Sequence, residues 1–337
     1  MNNASLETFV KFIKLSEEFS FKEAKILFLR ASYHPYLQQF SNDSLNCIQT
    51  FKPDYNLLKK AGINCVFEIK EQYDFCWYLA TNQRDENLLN FARLVNATKI
   101  GGSIFVSMPN DLGPKRFQKH LASLLNNIES YSKNHCRIFY GQKTEGLNQE
   151  LLNNWLELSN PQKIEEIELQ SVPGIFSSNK IDLGSKLLIE TIDVELSGQG
   201  ADLGSAYGYL SYELLKKYKD IQKIYLLEAE KLGLEISKKN LAQFNNIEFL
   251  WTDLTSDEIP QNLDWIIMNP PFHHGKEKDI SLGLKFINKA HNSLTASGHL
   301  FMVANSHLPY EESLNNLFSK VNLLKQEKGF KIYKCKK

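Results

Sequence analysis

Apolar positions in the first half of the chain switch between two spacings. Residues 6–19 carry them at helical intervals, while 25–29, 65–69 and 75–79 are short apolar runs of strand length. The same reading predicts a helix over 86–95, a turn at Gly101-Gly102, a strand over 103–108, a helix over 116–128 and a strand over 136–140. Strand and helix alternate, which is the rhythm of an α/β domain. No glycine-rich phosphate loop occurs in this half.

The second half repeats the rhythm with clearer punctuation. Helices are expected over 184–191, 208–218, 231–244 and 281–294, and strands over 223–227, 247–251, 263–268 and 300–304. A further strand ends at Asp202-Leu203-Gly204, and 321–326 with 329–334 read as a closing pair joined by a turn. This alternation implies a seven-stranded, mostly parallel sheet with helices on both faces and an antiparallel edge. The polar stretch ahead of Val172-Pro173-Gly174 marks a boundary, giving a domain over 1–160, a linker over 161–171 and a second domain over 172–337. One segment resists the pattern: Ser197-Gly198-Gln199-Gly200-Ala201 is poor strand material.

Charge narrows the functional classes. Lys and Arg number 39, as do Asp and Glu, so contact with a nucleic acid has to come from a local patch. One candidate patch is Arg93, Lys99, Lys115, Arg116, Lys119, Lys133 and Arg137, opposed in that stretch only by Asp111 and Glu129. The lysines of the tail, 325–337, read instead as protection of an edge strand. Five cysteines, none in a Cys-x-x-Cys pair, argue against a disulfide scaffold or zinc ribbon and for reduced thiols in the cytosol. With no signal-like N-terminus and no apolar run of membrane-spanning length, a cytoplasmic chain without a membrane segment is expected.

Candidate chemistry lies at strand ends of the second half. In Asp202-Leu203-Gly204-Ser205-Ala206-Tyr207-Gly208 a strand ends, small residues turn the chain and a helix begins, so a ligand can approach the backbone closely. An ordinary βα turn has the same look. Glu228, at the end of the next strand, can accept the ribose hydroxyls of an adenosine cofactor, or cap the helix that starts near Glu230. Thr252-Asp253 ends the following strand and can bond an adenine amine or cap a turn. Asn269-Pro270-Pro271-Phe272 follows the apolar strand 263–268. Its prolines fix a rigid loop where open α/β sheets bind ligands. The Asn269 side-chain carbonyl and the Pro270 backbone carbonyl are two acceptors able to grip the two hydrogens of an –NH2 group, and Phe272 can stack on a flat base. His273-His274 lack a third partner at metal-ligand spacing, so no metal is expected.

Together the loop Asp202–Gly208, Glu228, Asp253 and Asn269–Phe272 resemble the class I S-adenosylmethionine-dependent methyltransferases, in the branch that acts on amine nitrogens. Pro173-Gly174-Ile175-Phe176-Ser177 with Asp182-Leu183-Gly184-Ser185, Val303-Ala304-Asn305 with Leu308-Pro309-Tyr310, and Gly329-Phe330-Lys331-Ile332-Tyr333 are similar to the bacterial 16S rRNA guanine-N2 methyltransferase family. The resemblance implies two Rossmann-like methyltransferase domains in tandem, the first degenerate and without a cofactor site. It implies S-adenosylmethionine held by Asp202, Gly204, Ala206, Gly208, Glu228, Asp253, Asn269 and Phe176, and catalysis by Asn269, Pro270 and Phe272. It places the target base against Phe272, His273, Pro309 and Tyr310, and makes ribosomal RNA or the small subunit the partner of a monomeric enzyme. Ala206 departs from the family, which usually has a glycine there, and its methyl crowds the cofactor side. Large-subunit rRNA guanine, nucleic-acid adenine-N6, and an inactive RNA-binding relative are the alternative readings.

Overall fold

The computed structural model describes residues 3–21, 23–271, 273–274, 277–278 and 280–337. The chain divides into two units, Met1–Asn160 and Pro161–Lys337. Unit 1 contains α1 (Asn3–Leu15), β1 (Ile26–Leu29), β2 (Leu45–Ile48), α2 (Lys52–Lys60), β3 (Cys65–Val66), β4 (Tyr73–Leu79), α3 (Arg84–Ala97), β5 (Thr98–Pro109), α4 (Pro114–Ala122), β6 (Glu129–Lys133), β7 (Cys136–Gln142) and α5 (Gln149–Leu156). Unit 2 contains β8 (Gln162–Lys163), β9 (Gln170–Ser171), α6 (Leu183–Thr191), β10 (Gly198–Leu203), α7 (Tyr209–Lys217), β11 (Ile221–Glu228), α8 (Lys231–Asn240), β12 (Ile247–Trp251) and β13 (Leu263–Met268). It continues with β14 (His273–His274), β15 (Glu277–Lys278), α9 (Ile280–Ser293), β16 (Leu294–Asn305), α10 (Glu311–Leu317), β17 (Lys320–Glu327) and β18 (Phe330–Lys336).

Each unit is built on a seven-stranded sheet, and the order is the same in both: β3-β2-β1-β4-β5-β7-β6 and β12-β11-β10-β13-β16-β18-β17. The first five strands of each order run parallel, and the last two close an antiparallel edge. The expected fold class, two tandem α/β domains with mostly parallel sheets, is what the chain adopts. Apolar side chains cover both faces of each sheet. In unit 2, Trp265, Ile267 and Phe301 fill one face and Ile266, Met268 and Met302 the other, as side-chain alternation requires. Chain order reverses between β1 and β4 and between β10 and β13, and the carboxyl ends of the strands at such a switch point form a crevice.

Three stretches whose pattern is weak or misleading find their reason in the structure. The glycine-rich stretch before Asp202 is a strand, β10, paired with β11 and β13. Its glycine is a packing requirement: a Cβ at Gly200 would overlap the indole of Trp265, whose Nε1 donates to the Ser197 carbonyl at 3.0 Å. The stretch 161–171, expected as a linker, carries the β8–β9 hairpin, and Ile164 and Leu169 are buried in the core of unit 2. Its charged residues mask an apolar set. Asn240 of α8 bonds this hairpin at Gln170 and also holds the Tyr207 carbonyl at 2.8 Å. Finally, β6 has no apolar signature because it is a solvent-facing edge, joined to β7 by Asn134-His135, both at positive φ as a tight hairpin turn demands.

Candidate active site

The switch point of unit 2 gathers residues from four segments. After β10 the chain turns through Gly204 (φ 81°), Ala206 (φ 48°) and Gly208 (φ 91°) before α7 begins. Gly204 and Ser205 donate their backbone N–H groups to the Leu227 carbonyl, at 2.8 and 3.2 Å. Glu228, the last residue of β11, clamps the same loop. Its Oε2 accepts from the Ala206 N–H and its Oε1 from the Glu230 N–H, both at 2.7 Å. Gly233 lets α8 approach closely, since a Cβ there would stand 3.0 Å from the Ala206 carbonyl oxygen.

Asp202 lies beneath this loop, fully buried. Its Oδ2 accepts from the Ser211 hydroxyl at 2.7 Å, while Oδ1 has no hydrogen-bond partner among the described residues, and neither does the buried Ser205 Oγ. Burial pushes the Asp202 carboxyl up to about 7, with the charge of Glu228 adding to the rise. Surrounding protein pushes Glu228 to about 7 as well, against the lowering effect of the N–H groups it accepts. Two carboxyls and two orphaned polar atoms under an open glycine turn form a cradle suited to a polar, positively charged ligand.

Asn269 follows β13 directly. Its Nδ2 donates to Asp182 Oδ2 and to Ser185 Oγ, both at 2.9 Å. The same Asp182 oxygen accepts the Ser185 N–H at 2.8 Å and so caps α6. A carboxylate only accepts, so it selects the amide orientation, and the Asn269 carbonyl oxygen is turned away with no donor on it among the described residues. Phe176, Asp182, Gly204, Ala206 and Asn269 line one small cavity of about 30 Å³. Phe176 stands on its rim, 55% exposed. A larger surface hollow of about 640 Å³, between 254–261 and α9, is lined by none of the expected site residues.

Asp253 takes the turn-capping alternative, and Tyr310 is placed differently from expectation. The Asp253 carboxylate is consumed by its own turn: Oδ1 accepts from the N–H and hydroxyl of Thr255, and Oδ2 from the Ser256 hydroxyl. Tyr310 is fully buried in the core with its hydroxyl packed where a Cβ on Gly283 of α9 would stand, so it offers no surface to a base. Pro309 beside it is exposed, and Pro270 is buried while Pro271 is exposed. Phe272 and the side chain of His273 lie outside the described residues. Asp182 and Ser185 were missing from the expected site. Their signal is the capping pattern Asp-x-x-Ser at a helix start, which says nothing of a partner more than 80 residues away.

Known proteins resemble this chain over most of its length. A relative from Haemophilus influenzae named ribosomal RNA small subunit methyltransferase C is 30% identical over 279 residues, covering 82% of this chain and 83% of its own. One of the same name from Psychromonas ingrahamii is 28% identical and covers 90% of this chain and 88% of its own. Among solved structures, a 16S rRNA N2 methyltransferase of T. thermophilus, in complex with AdoMet and guanosine, superposes with a TM-score of 0.79 at 21% identity, over 96% of this chain and 90% of its own. That match extends the shared fold over both units. The family model described as the methyltransferase small domain matches residues 166–334, half of the chain and nearly all of unit 2, and the chain belongs to that family.

Proposed function

We propose that the chain transfers a methyl group from S-adenosylmethionine to the exocyclic N2 amine of a guanine in small-subunit ribosomal RNA. The observation that carries this reading is the Asn269 amide, held by Asp182 and Ser185 so that its carbonyl oxygen, with no donor on it among the described residues, is an acceptor at the cavity the glycine loop also lines. The names of the two bacterial relatives and the AdoMet and guanosine bound to the T. thermophilus enzyme support the same substrate and cofactor.

The residues present fit the cofactor. Asp202 and Ser205 leave buried polar atoms without partners, and Asp202 and Glu228 are carboxyls whose charged form, disfavoured by burial in the empty site, a cationic sulfonium ligand would favour. Gly204, Ala206 and Gly208 would hold it from the backbone, with Glu228 at the ribose and Phe176 at the rim. Asp253 would act through the turn it builds rather than by its carboxylate. S-adenosylmethionine, when bound, supplies an electrophilic methyl carbon.

The chain's own residues do the rest by positioning. The Asn269 carbonyl and the Pro270 backbone carbonyl accept the two amine hydrogens and aim the nitrogen lone pair, which is otherwise delocalised into the ring. Orientation of this kind can supply roughly 7–11 kcal/mol of a barrier. Phe272 is assigned to stack on the base, worth about 1–3 kcal/mol. As the N–C bond forms, the methyl–sulfur bond would break with its electron pair left on sulfur as the neutral demethylated product, and the nitrogen, now acidic, releases its proton to solvent, so no strong base is required. The base has to be unstacked to reach the loop.

The test is calorimetry with S-adenosylmethionine and its demethylated product, followed by methylation of rRNA and assembled small subunits with nucleoside analysis. N2-methylguanosine is the expected product. N6-methyladenosine would transfer the reading to adenine, and no binding of either ligand would favour an RNA-binding relative without activity.

A further inference from the structure

The crevice at the switch point of unit 1 is already filled by the chain itself. Arg30 follows β1 at φ 52°, and its Nε lies 3.4 Å from Oε1 of the buried Glu86. Glu86 also accepts from Thr81 Oγ1 at 2.7 Å. Asn87 accepts from the Tyr78 hydroxyl at 2.8 Å, and Asn90 donates to that hydroxyl at 3.0 Å. No small ligand can take this place without breaking the network.

Beyond that plug, the same edge of the sheet is basic. The helix α4 buries Pro114, Phe117 and Leu121, which turns Lys115, Arg116 and Lys119 to solvent. Lys133 is exposed at the end of the β6–β7 hairpin, whose tip is tied to the end of β5 by the Asn110 N–H donating to the His135 carbonyl at 2.8 Å. Arg137 is held in place by Gln118 of α4 at 3.1 Å and Ser132 at 3.3 Å. His120 reports the local potential: burial, then Arg84 and Arg116, push its pKa down. Arg84 itself pairs with Asp85. Among the described residues, Lys115, Arg116, Lys119, Lys133 and Arg137 have no carboxylate partner. By contrast, Lys163, Lys223, Lys238 and Lys325 of unit 2 each have one. Two members of the patch expected from the sequence drop out. Arg93 is turned inward toward Asn90, and Lys99 pairs with Asp74 at 2.7 Å.

We propose that this edge of unit 1 binds the phosphodiester backbone of RNA through Lys115, Arg116, Lys119, Lys133 and Arg137. Unpaired, solvent-facing cations on a helix and an adjoining hairpin suit a row of phosphates and carry no information about base sequence. They would hold and orient the RNA, leaving choice of the base to the Asn269 loop. The inference rests on the proposed function only in naming that RNA as the methylation substrate.

The experiment is titration of the full chain with fluorescein-labelled small-subunit rRNA, transcribed in vitro, over a series of KCl concentrations. The edge variant is Lys115→Gln, Arg116→Gln, Lys119→Gln and Lys133→Gln combined. A control of equal charge change combines Lys163→Gln, Lys223→Gln, Lys238→Gln and Lys325→Gln. For the edge variant, the slope of log affinity against log salt should become shallower by about 3, as loss of four phosphate contacts requires. The control should change it by less than about 1. A charge-retaining variant, Lys115→Arg with Lys119→Arg and Lys133→Arg, should keep the wild-type slope. A wild-type slope in the edge variant, or equal losses in edge variant and control, would overturn the proposal. S-adenosylmethionine calorimetry on the same proteins reads unit 2 separately. RNA binding that depends on the edge in a protein that never binds cofactor would sink the methyltransferase reading and leave the edge standing.

Discussion

The two sheets share an order but end in different chemistry. Leu29 of β1 pairs with Ile48 and Tyr78, as Leu203 of β10 pairs with Leu227 and Met268. One residue further along each strand, unit 2 presents Gly204, Glu228 and Asn269, whereas unit 1 presents Arg30, Gln49 and Leu79. Three positions therefore help separate a crevice edged by a glycine turn and an acid from one filled by an Arg30–Glu86 pair and its polar network. Arg30 keeps the positive φ of the glycine it matches, so the turn survives while its side chain occupies the space. A Rossmann-like sheet offers a place for a ligand, and the residues one step past the strands decide whether anything can enter.

The largest expected effect comes from erasing the difference at the third position. Asn269→Ala, which leaves no side-chain acceptor, should lower kcat by roughly 10²–10³-fold, the usual loss when one preorganised hydrogen-bonding group at a reacting centre is removed. Cofactor affinity measured by calorimetry should fall far less than kcat, because Asn269 is only one of several residues lining the cofactor side. Unchanged turnover would mean that the amine is gripped elsewhere.

Next in size is Glu228→Gln, which gives unit 2 the residue that unit 1 carries as Gln49. Loss of charge-assisted hydrogen bonds of about 1.5–3 kcal/mol should weaken S-adenosylmethionine binding by about 10–100-fold in calorimetry. A weakening of less than threefold would show that the acid serves the loop alone.

The pH dependence of stability sharpens the same contrast. Asp202 and Glu228 titrate near 7 when folded and near their ordinary carboxyl values when unfolded. The folded state thus binds more protons than the unfolded state between about pH 4 and 7, and their contribution to stability falls as pH rises through that window. Below it both states are protonated and the penalty vanishes. Urea unfolding of the cofactor-free protein should show a smaller decline from pH 5 to 7.5 for Asp202→Asn with Glu228→Gln than for wild type. A decline as large as that of wild type would place the effect on other carboxyls.

The smallest effect is Ala206→Gly. A left-handed conformation costs a non-glycine residue about 1–2 kcal/mol, and the greater freedom of unfolded glycine offsets part of any gain. A rise in Tm of a few degrees is expected by thermal unfolding, with cofactor affinity equal to wild type or tighter. A fall in both would show that the methyl packs usefully.

Glu228 and the Asn269 turn were legible because each lies at the end of an apolar run, and the loop from Asp202 to Gly208 because its small residues precede a helix pattern. Asp182 and Ser185 escaped because their contact with Asn269 exists only after α6 packs beside β13. The first half of β10 read as poor strand material because Gly200 makes sense only opposite Trp265, on a neighbouring strand. Tyr310 looked like a base-facing aromatic beside a proline, and only the missing side chain at Gly283 reveals the core space that takes it. Local pattern reports which element a residue joins, while these roles depend on what stands across from it.

A carboxamide is ambiguous by nature, since rotation by half a turn exchanges an oxygen for an –NH2. Asp182 removes that ambiguity at Asn269, and it does so with the oxygen that also starts α6. Chemical discrimination is thereby built into helix formation: once the helix is capped, the loop greets an amine with oxygen, and a base edge carrying a carbonyl at that point would meet oxygen with oxygen.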